Sequence, residues 1–285
     1  MTTSPIRQRA NRMALVKVRL LAVGLVFALA ACSSEVAGCN TPIGRVPTSA
    51  FADPSVSPSP AVTPVTQPLA GRVIVIDPGH NGRYDEAFNT KLVPAGHGMT
   101  KACNTSGTAT NDGWPEHAYN WAQAQALKSA LEALGAVVVL TRPDDDGLGP
   151  CVNDRAAVAN DSGAALLISI HADGNTSSTA RGFHVIYSTQ MDAGAGVEEA
   201  SAALATDVRD ALDGVGMPRS TYVGGGTALS PRNDLGTLNL LTVPGVMIEM
   251  GNMRHADDAA LLASPVFQDG VAKALVGVCI KVLGG

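Results

Sequence analysis

Val73-Ile74-Val75-Ile76-Asp77-Pro78-Gly79-His80 is the segment on which the fold class turns. Its four consecutive β-branched residues show no polar alternation, so the strand they predict, Arg72–Asp77, is covered on both faces as in a parallel sheet. Pro78-Gly79 stops that strand and delivers His80 just beyond its carboxyl end. Downstream, Pro115 and Glu116 open a helix, because proline suits a first helical turn and a carboxylate favours the positive end of the dipole. Leu127, Leu131 and Leu134 give this helix one apolar face, and Gly135 ends it. Further strands are predicted at Ala136–Thr141, Ala165–Ile170, Gly182–Ser188 and Val246–Met250, with helices at Asp154–Asn160, Val197–Leu212 and Phe267–Leu283. Strands separated by helices predict an α/β domain built on an open, mostly parallel sheet with helices on both faces. Residues 81–114, rich in Gly, Asn and Thr, read as one long loop.

Upstream of Gly71 the composition changes. Residues 33–70 carry Pro54, Pro58, Pro60, Pro64 and Pro68 among Ser, Thr, Val and Ala. Such a segment favours extended polyproline II, at about 3.1 Å per residue, and reads as a semi-rigid tether of many nanometres. The domain boundary is therefore expected at Gly71, with the catalytic domain spanning 71–285. Earlier still, Arg7, Arg9, Arg12, Lys17 and Arg19 precede an uncharged apolar run from Leu20 to Ala31. That run is shorter than the roughly 20 residues needed to span a bilayer, and it has the layout of a secretory signal peptide over residues 1–31. Leu29-Ala30-Ala31-Cys32 resembles the bacterial lipobox. The resemblance implies a diacylglyceryl group on Cys32 and a membrane anchor at the N-terminus. The alternative is an ordinary signal peptide that releases a soluble protein.

The 285 residues allow one sizeable domain, and a hydrophobic fraction of 46% excludes wholesale disorder. The formal net charge is −5, and cleavage of the signal peptide would remove five basic residues and no acidic ones. Nucleic acid is not an expected partner, since phosphate neutralisation calls for the opposite balance. Five cysteines are too few for a disulfide scaffold and form no CxxC pair. In an exported chain disulfides persist, and Cys103 and Cys151, in two loop-like stretches, are expected to pair. The loop so closed would stabilise the fold by at most ~4 kcal/mol in the chain-entropy account. Cys39 falls in the tether and Cys279 on the last apolar helix, where a buried free thiol is expected. The protein is expected to be a monomer.

Ligands of open α/β sheets lie beyond the carboxyl ends of the strands. Three such ends carry chemistry: Asp77-Pro78-Gly79-His80, Ser169-Ile170-His171-Ala172-Asp173, and Ile248-Glu249-Met250-Gly251-Asn252. Glu116 opens the first helix on the same side. Two imidazoles and a carboxylate make the His₂Glu set that zinc takes in hydrolases, and a further carboxylate can accept a proton from water. Taken singly, His80 reads as a turn residue and Glu116 as a dipole partner. Glu249, between Ile248 and Met250, would be costly if buried idle, which favours a cleft.

In this order the motifs resemble the zinc-dependent N-acetylmuramoyl-L-alanine amidases of the bacterial cell wall. Thr141-Arg142 and the stretch from Arg155 to Asn160 support the likeness, which covers about residues 72–283. Asn81 stands where the commoner pattern has glycine after the histidine; the change is expected to affect only the turn, because Asn tolerates positive φ. The resemblance implies Zn²⁺ held by His80, Glu116 and His171, with Glu249 as general base. It implies cleavage of the amide between the lactyl group of N-acetylmuramic acid and L-alanine, in peptidoglycan or muropeptides at the cell envelope. A zinc peptidase acting on other peptides and a non-catalytic peptidoglycan-binding lipoprotein are the alternatives. No wall-binding domain is expected after Glu249. His97, His117, His184 and His255 read as bystanders in loops, on a helix side or along a strand. Trp114 and Trp121 read as core or cleft-lining, and Arg232 and Asn233 as partners for substrate carboxylates.

Overall fold

The computed structural model describes residues 66–284. In chain order the elements are β1 (Val73–Pro78), α1 (Glu86–Asn89), β2 (Leu92–Pro94), β3 (Thr100–Ala102), α2 (Glu116–Glu132), β4 (Val137–Leu140), α3 (Val152–Asp161), β5 (Leu166–Asp173), β6 (His184–Ser188), α4 (Ala195–Leu212), β7 (Leu229–Arg232), α5 (Gly236–Asn239), β8 (Gly245–Asn252), α6 (Ala256–Leu262) and α7 (Pro265–Leu283). Six strands form one sheet in the order β4-β1-β5-β8-β6-β7. Strands β4, β1, β5 and β8 run parallel, β6 is antiparallel to β8, and β7 is parallel to β6. The fold is thus the expected mostly parallel α/β sheet.

Successive side chains of a strand point to opposite faces, which explains the uninterrupted apolar runs. Ile74, Ile76, Ile168 and Ile248 pack into a core shared with α2, α4 and α7. Val75, Leu167 and Met247 face the other way, against Ala156 and Ala159 of α3 and Leu238 of α5. Both faces of the central strands are therefore covered, and their carboxyl ends are left open to build a site. None of the described helices is long and apolar enough to cross a membrane.

The structure corrects several expectations. The folded chain starts before Gly71: Leu69 is fully buried in the core, and its N–H donates to the Leu134 carbonyl at 3.1 Å. The expected signal peptide, Cys32, Cys39 and nearly all of the tether lie outside the described residues. Residues 81–114 are not one loop but contain α1, capped by Asp85, and the antiparallel hairpin β2–β3. Strands of three residues are too short to show a period. The edge strand β7 was also illegible, since Pro231 argues against a strand except at an edge. Single-turn α5 and seven-residue α6 fall below the length at which a helical stripe can be read.

Candidate active site

Strand register brings the first group of residues together. Asp77 pairs with Ser169 and Pro78 with Ile170, so Gly79 is carried alongside His171. A Cβ at Gly79 would come within 2.1 Å of the His171 ring, so only glycine lets the two strand ends approach this closely. His80 then adopts φ 59°, a left-handed conformation that is uncommon for a residue with a side chain. Asn81 was expected to carry that conformation; the positive φ falls one residue earlier, on the histidine itself.

Arg155, in the first turn of α3, holds the turn in place. Its Nη2 donates to the His80 carbonyl at 2.7 Å and to Asn81 Oδ1 at 2.6 Å, and its Nη1 donates to the Pro78 carbonyl at 2.9 Å and to Asp77 Oδ1 at 2.6 Å. Burial raises the pKa of Asp77, but the Arg155 guanidinium and hydrogen bonds from Ser169 and Thr141 outweigh it and hold the group at about 2. Removing one partner of a buried pair strands the other. Arg155→Met is therefore expected to lower the unfolding free energy by about 3–5 kcal/mol in a denaturant titration, and adding Asp77→Asn should restore part of the loss. A stability unchanged in Arg155→Met would show that this network does not brace the turn.

Glu116 reaches the same place from the start of α2. Its Oε2 lies 3.0 Å from His80 Nε2 and its Oε1 lies 3.0 Å from His171 Nδ1. The Thr108 and Ala172 backbone N–H groups donate to the two carboxylate oxygens at 3.0 and 3.2 Å. The two imidazoles meet edge to face with centroids 4.7 Å apart, and one donor atom from each of His80, Glu116 and His171 lies within 4.8 Å of the others. Burial opposes ionisation of Glu116, but hydrogen bonding to His171 and then His80 holds it well below the usual carboxylate range. Burial pushes His171 down, and the charge of His80 adds to this against the pull of Glu116.

These facts test whether a cation fits. His80 Nδ1 donates to the Thr105 carbonyl at 2.8 Å, which leaves Nε2 as the ring nitrogen facing the carboxylate. A ring nitrogen and a carboxylate oxygen 3.0 Å apart share a proton or, once that proton is displaced, a cation. The donor set, its buried carboxylate and its outer hydrogen bonds suit a divalent cation of the zinc type. Gly107, at φ 74°, closes over the cluster, where a Cβ would meet Glu116 Oε2 and His80 Cδ2 at 2.8 Å.

Glu249 pairs with His171 across β5 and β8. Its Oε2 is buried without a hydrogen-bond partner in the protein. Burial raises its pKa well above the ordinary value; the charges of Glu116 and Asp173 add to this, and Arg232 opposes it. A cleft of about 580 Å³ opens above His80, Glu116, His171 and Glu249 and extends past Lys101 to Asp234.

The other residues singled out fall elsewhere. His117 pairs with Asp145 at 2.9 Å, His97 pairs with Asp192 at 3.4 Å, and His255 stands just before α6 without a side-chain capping bond. Trp121 packs beneath Arg142, and Trp114 meets Tyr119 edge to face outside the cleft lining. Arg232 grips Asp234 through two contacts of 2.8 Å, and Asp234 also takes Lys101 at 3.2 Å. The Asn233 carbonyl accepts a hydrogen bond from the Asn239 side chain. Cys103 and Cys151 are disulfide-bonded, which staples the loop bearing Thr105 and Thr108 to the helix bearing Arg155. Cys279 is a buried free thiol. Nothing in the sequence points to Thr105, whose contribution is a backbone carbonyl, or to the pairing of His184 on β6 with Glu249 on β8. A backbone role leaves no residue-type signal.

Comparison with known proteins identifies the family. The family described as N-acetylmuramoyl-L-alanine amidase matches residues 74–279. The N-acetylmuramoyl-L-alanine amidase Rv3717 of Mycobacterium tuberculosis is 42% identical over 231 residues, covering 80% of this chain and 91% of that protein. The germination-specific N-acetylmuramoyl-L-alanine amidase of Bacillus subtilis is 25% identical over 224 residues, covering 74% of this chain and 80% of that protein. The crystal structure of the amidase Ami1 from Mycobacterium smegmatis superposes with a TM-score of 0.71 at 42% identity, covering 76% of this chain and 98% of that one. With the family match spanning nearly all of the described domain and the strand ends carrying their motifs in one cleft, this chain belongs to the N-acetylmuramoyl-L-alanine amidase family.

Proposed function

We propose that this protein hydrolyses the amide between the lactyl group of N-acetylmuramic acid and L-alanine in peptidoglycan or muropeptides, using zinc held by His80, Glu116 and His171, with Glu249 as general base. The observation that carries the reading is the convergence of three donors from β1, α2 and β5 within 4.8 Å, in the cleft where Glu249 stands beside His171. Zinc at that cluster would supply Lewis acidity, lowering the pKa of a water toward ~7 and polarising the scissile carbonyl. Thr105 and Arg155 fix the ring and backbone of His80, so the donor set is organised before any ligand arrives. Glu249 takes a proton from the attacking water and passes it to the departing alanine nitrogen, giving a free amine and a lactyl carboxylate. A cation held by Glu116 would offset one of the negative charges that raise the Glu249 pKa, while burial, the largest cause, would still raise it.

In this proposal the chain acts as a monomer at the cell envelope. Residues 1–31 direct export, a lipid on Cys32 anchors it to the membrane, and residues from 33 to the start of the fold act as spacer. Substitution Cys32→Ser would then move the protein from the membrane to the soluble fraction.

The deciding experiment is digestion of defined muropeptides with mass spectrometry of the products. The expected result is a stem peptide with a free L-alanine amine and a glycan ending in the lactyl carboxylate. Chelation should abolish turnover and added zinc should restore it. Cuts within the stem peptide would assign a peptidase instead, and turnover indifferent to chelators would remove the metal from the mechanism.

A further inference from the structure

Glu249 sits in the middle of a row of register partners that crosses three strands: His171 on β5, Glu249 on β8 and His184 on β6. Register partners put their side chains on the same face of a sheet, one strand spacing of about 4.8 Å apart. One flank of Glu249 is thus a proposed metal ligand. The other is an imidazole that the mechanism leaves unused. His184 is only 4% exposed. Its Nδ1 has no hydrogen-bond partner in the protein, and neither has Oε2 of Glu249. Two buried polar atoms left unsatisfied at adjacent positions would each be costly, whereas one shared partner satisfies both.

We propose that His184 is a positioning residue for Glu249: the imidazole holds Oε2 through one buried water and leaves the other carboxylate oxygen to the cleft. The inference rests on Glu249 acting as the base in the amidase reaction. Its physical sense lies in the choice of donor. A carboxylate that must accept a proton needs a fixed orientation, and a neutral donor supplies it without adding a further positive charge that would depress its basicity. Burial pushes His184 down to about 4, with the charge of Asp173 opposing and that of Arg232 assisting, which favours the neutral ring at neutral pH. Arg232, the neighbouring cation, is already engaged by Asp234. The ring of His184 is also backed: Tyr222 meets it edge-on with centroids 6.2 Å apart, and the Tyr222 hydroxyl donates to Asp173 at 2.9 Å.

The test uses the metal-loaded protein and the muropeptide assay. His184→Leu, which removes the polar atoms and keeps the bulk, is expected to lower kcat about 10–100-fold, with KM within about twofold and metal content unchanged. His184→Gln, which keeps an N–H, should recover most of that loss. Independently of turnover, the ¹⁵N resonances of the His184 ring should shift when Glu249 is replaced by glutamine. Wild-type kcat in His184→Leu, a glutamine variant no better than leucine, or a ring resonance indifferent to Glu249 would each overturn the proposal. A raised KM at constant kcat would place His184 on the substrate instead and would overturn it too. If His184→Leu fails to fold, the glutamine variant and the resonance still decide. A wild-type protein that leaves the lactyl–alanine amide intact fails the proposed function, while the resonance shift still reports whether the two side chains are coupled.

Discussion

Glu249→Gln is expected to lower kcat by about 10²–10⁴-fold while the protein keeps its metal and its fold. Glutamine has the shape of glutamate but cannot accept a proton from water. The metal cluster is unaffected because Glu249 is not one of the three clustered donors. The same substitution should raise the thermal unfolding temperature. In the wild type desolvation raises the carboxyl pKa well above the ordinary value, so above the unfolded-state pKa holding this group costs the fold free energy. A neutral amide relieves that cost. Loss of activity combined with a gain in stability is the mark of a group kept for chemistry rather than packing. Product analysis with elemental analysis and a thermal melt measures all three quantities. Undiminished hydrolysis in the variant would remove Glu249 from the mechanism.

His171→Ala should act at the other end of the site, by abolishing metal retention. The ring supplies one of three donors, it pairs with Glu116 at 3.0 Å, and it fills the space that Gly79 leaves open. Removing an outer partner of a metal ligand typically weakens binding about 10–100-fold, and removing the ligand itself should exceed that. The expected result is sub-stoichiometric metal after dialysis and no turnover, with the sheet intact by circular dichroism. The contrast with Glu249→Gln is the informative part: one variant is inactive with metal, the other inactive without it. A His171→Ala protein that retains stoichiometric zinc would show that the cation, if present, binds elsewhere.

The strands that flank the site were readable because they are buried on both faces, which forces unbroken apolar runs such as Val73–Ile76 and Leu166–Ile168. His80, His171 and Glu249 stand out in the sequence because each follows or interrupts such a run, and Glu116 because it opens a helix after a proline. The hairpin 92–102 and the edge strand β7 were not, since elements of three or four residues carry too few positions to display a period. The start of the fold was placed late for a related reason: Leu69 lies among prolines and polar residues, and only its contact with the end of α2 makes it core.

Local order along the chain settled which segments become strands and where their polar ends fall, because burial and turn chemistry act over a few residues. Pairing across the sheet settled who faces whom. It set His171, Glu249 and His184 in one row, moved the left-handed turn conformation onto His80, and turned a threonine carbonyl into the group that orients an imidazole. Register and backbone contacts join residues far apart in sequence, and no residue type announces them before the chain has folded.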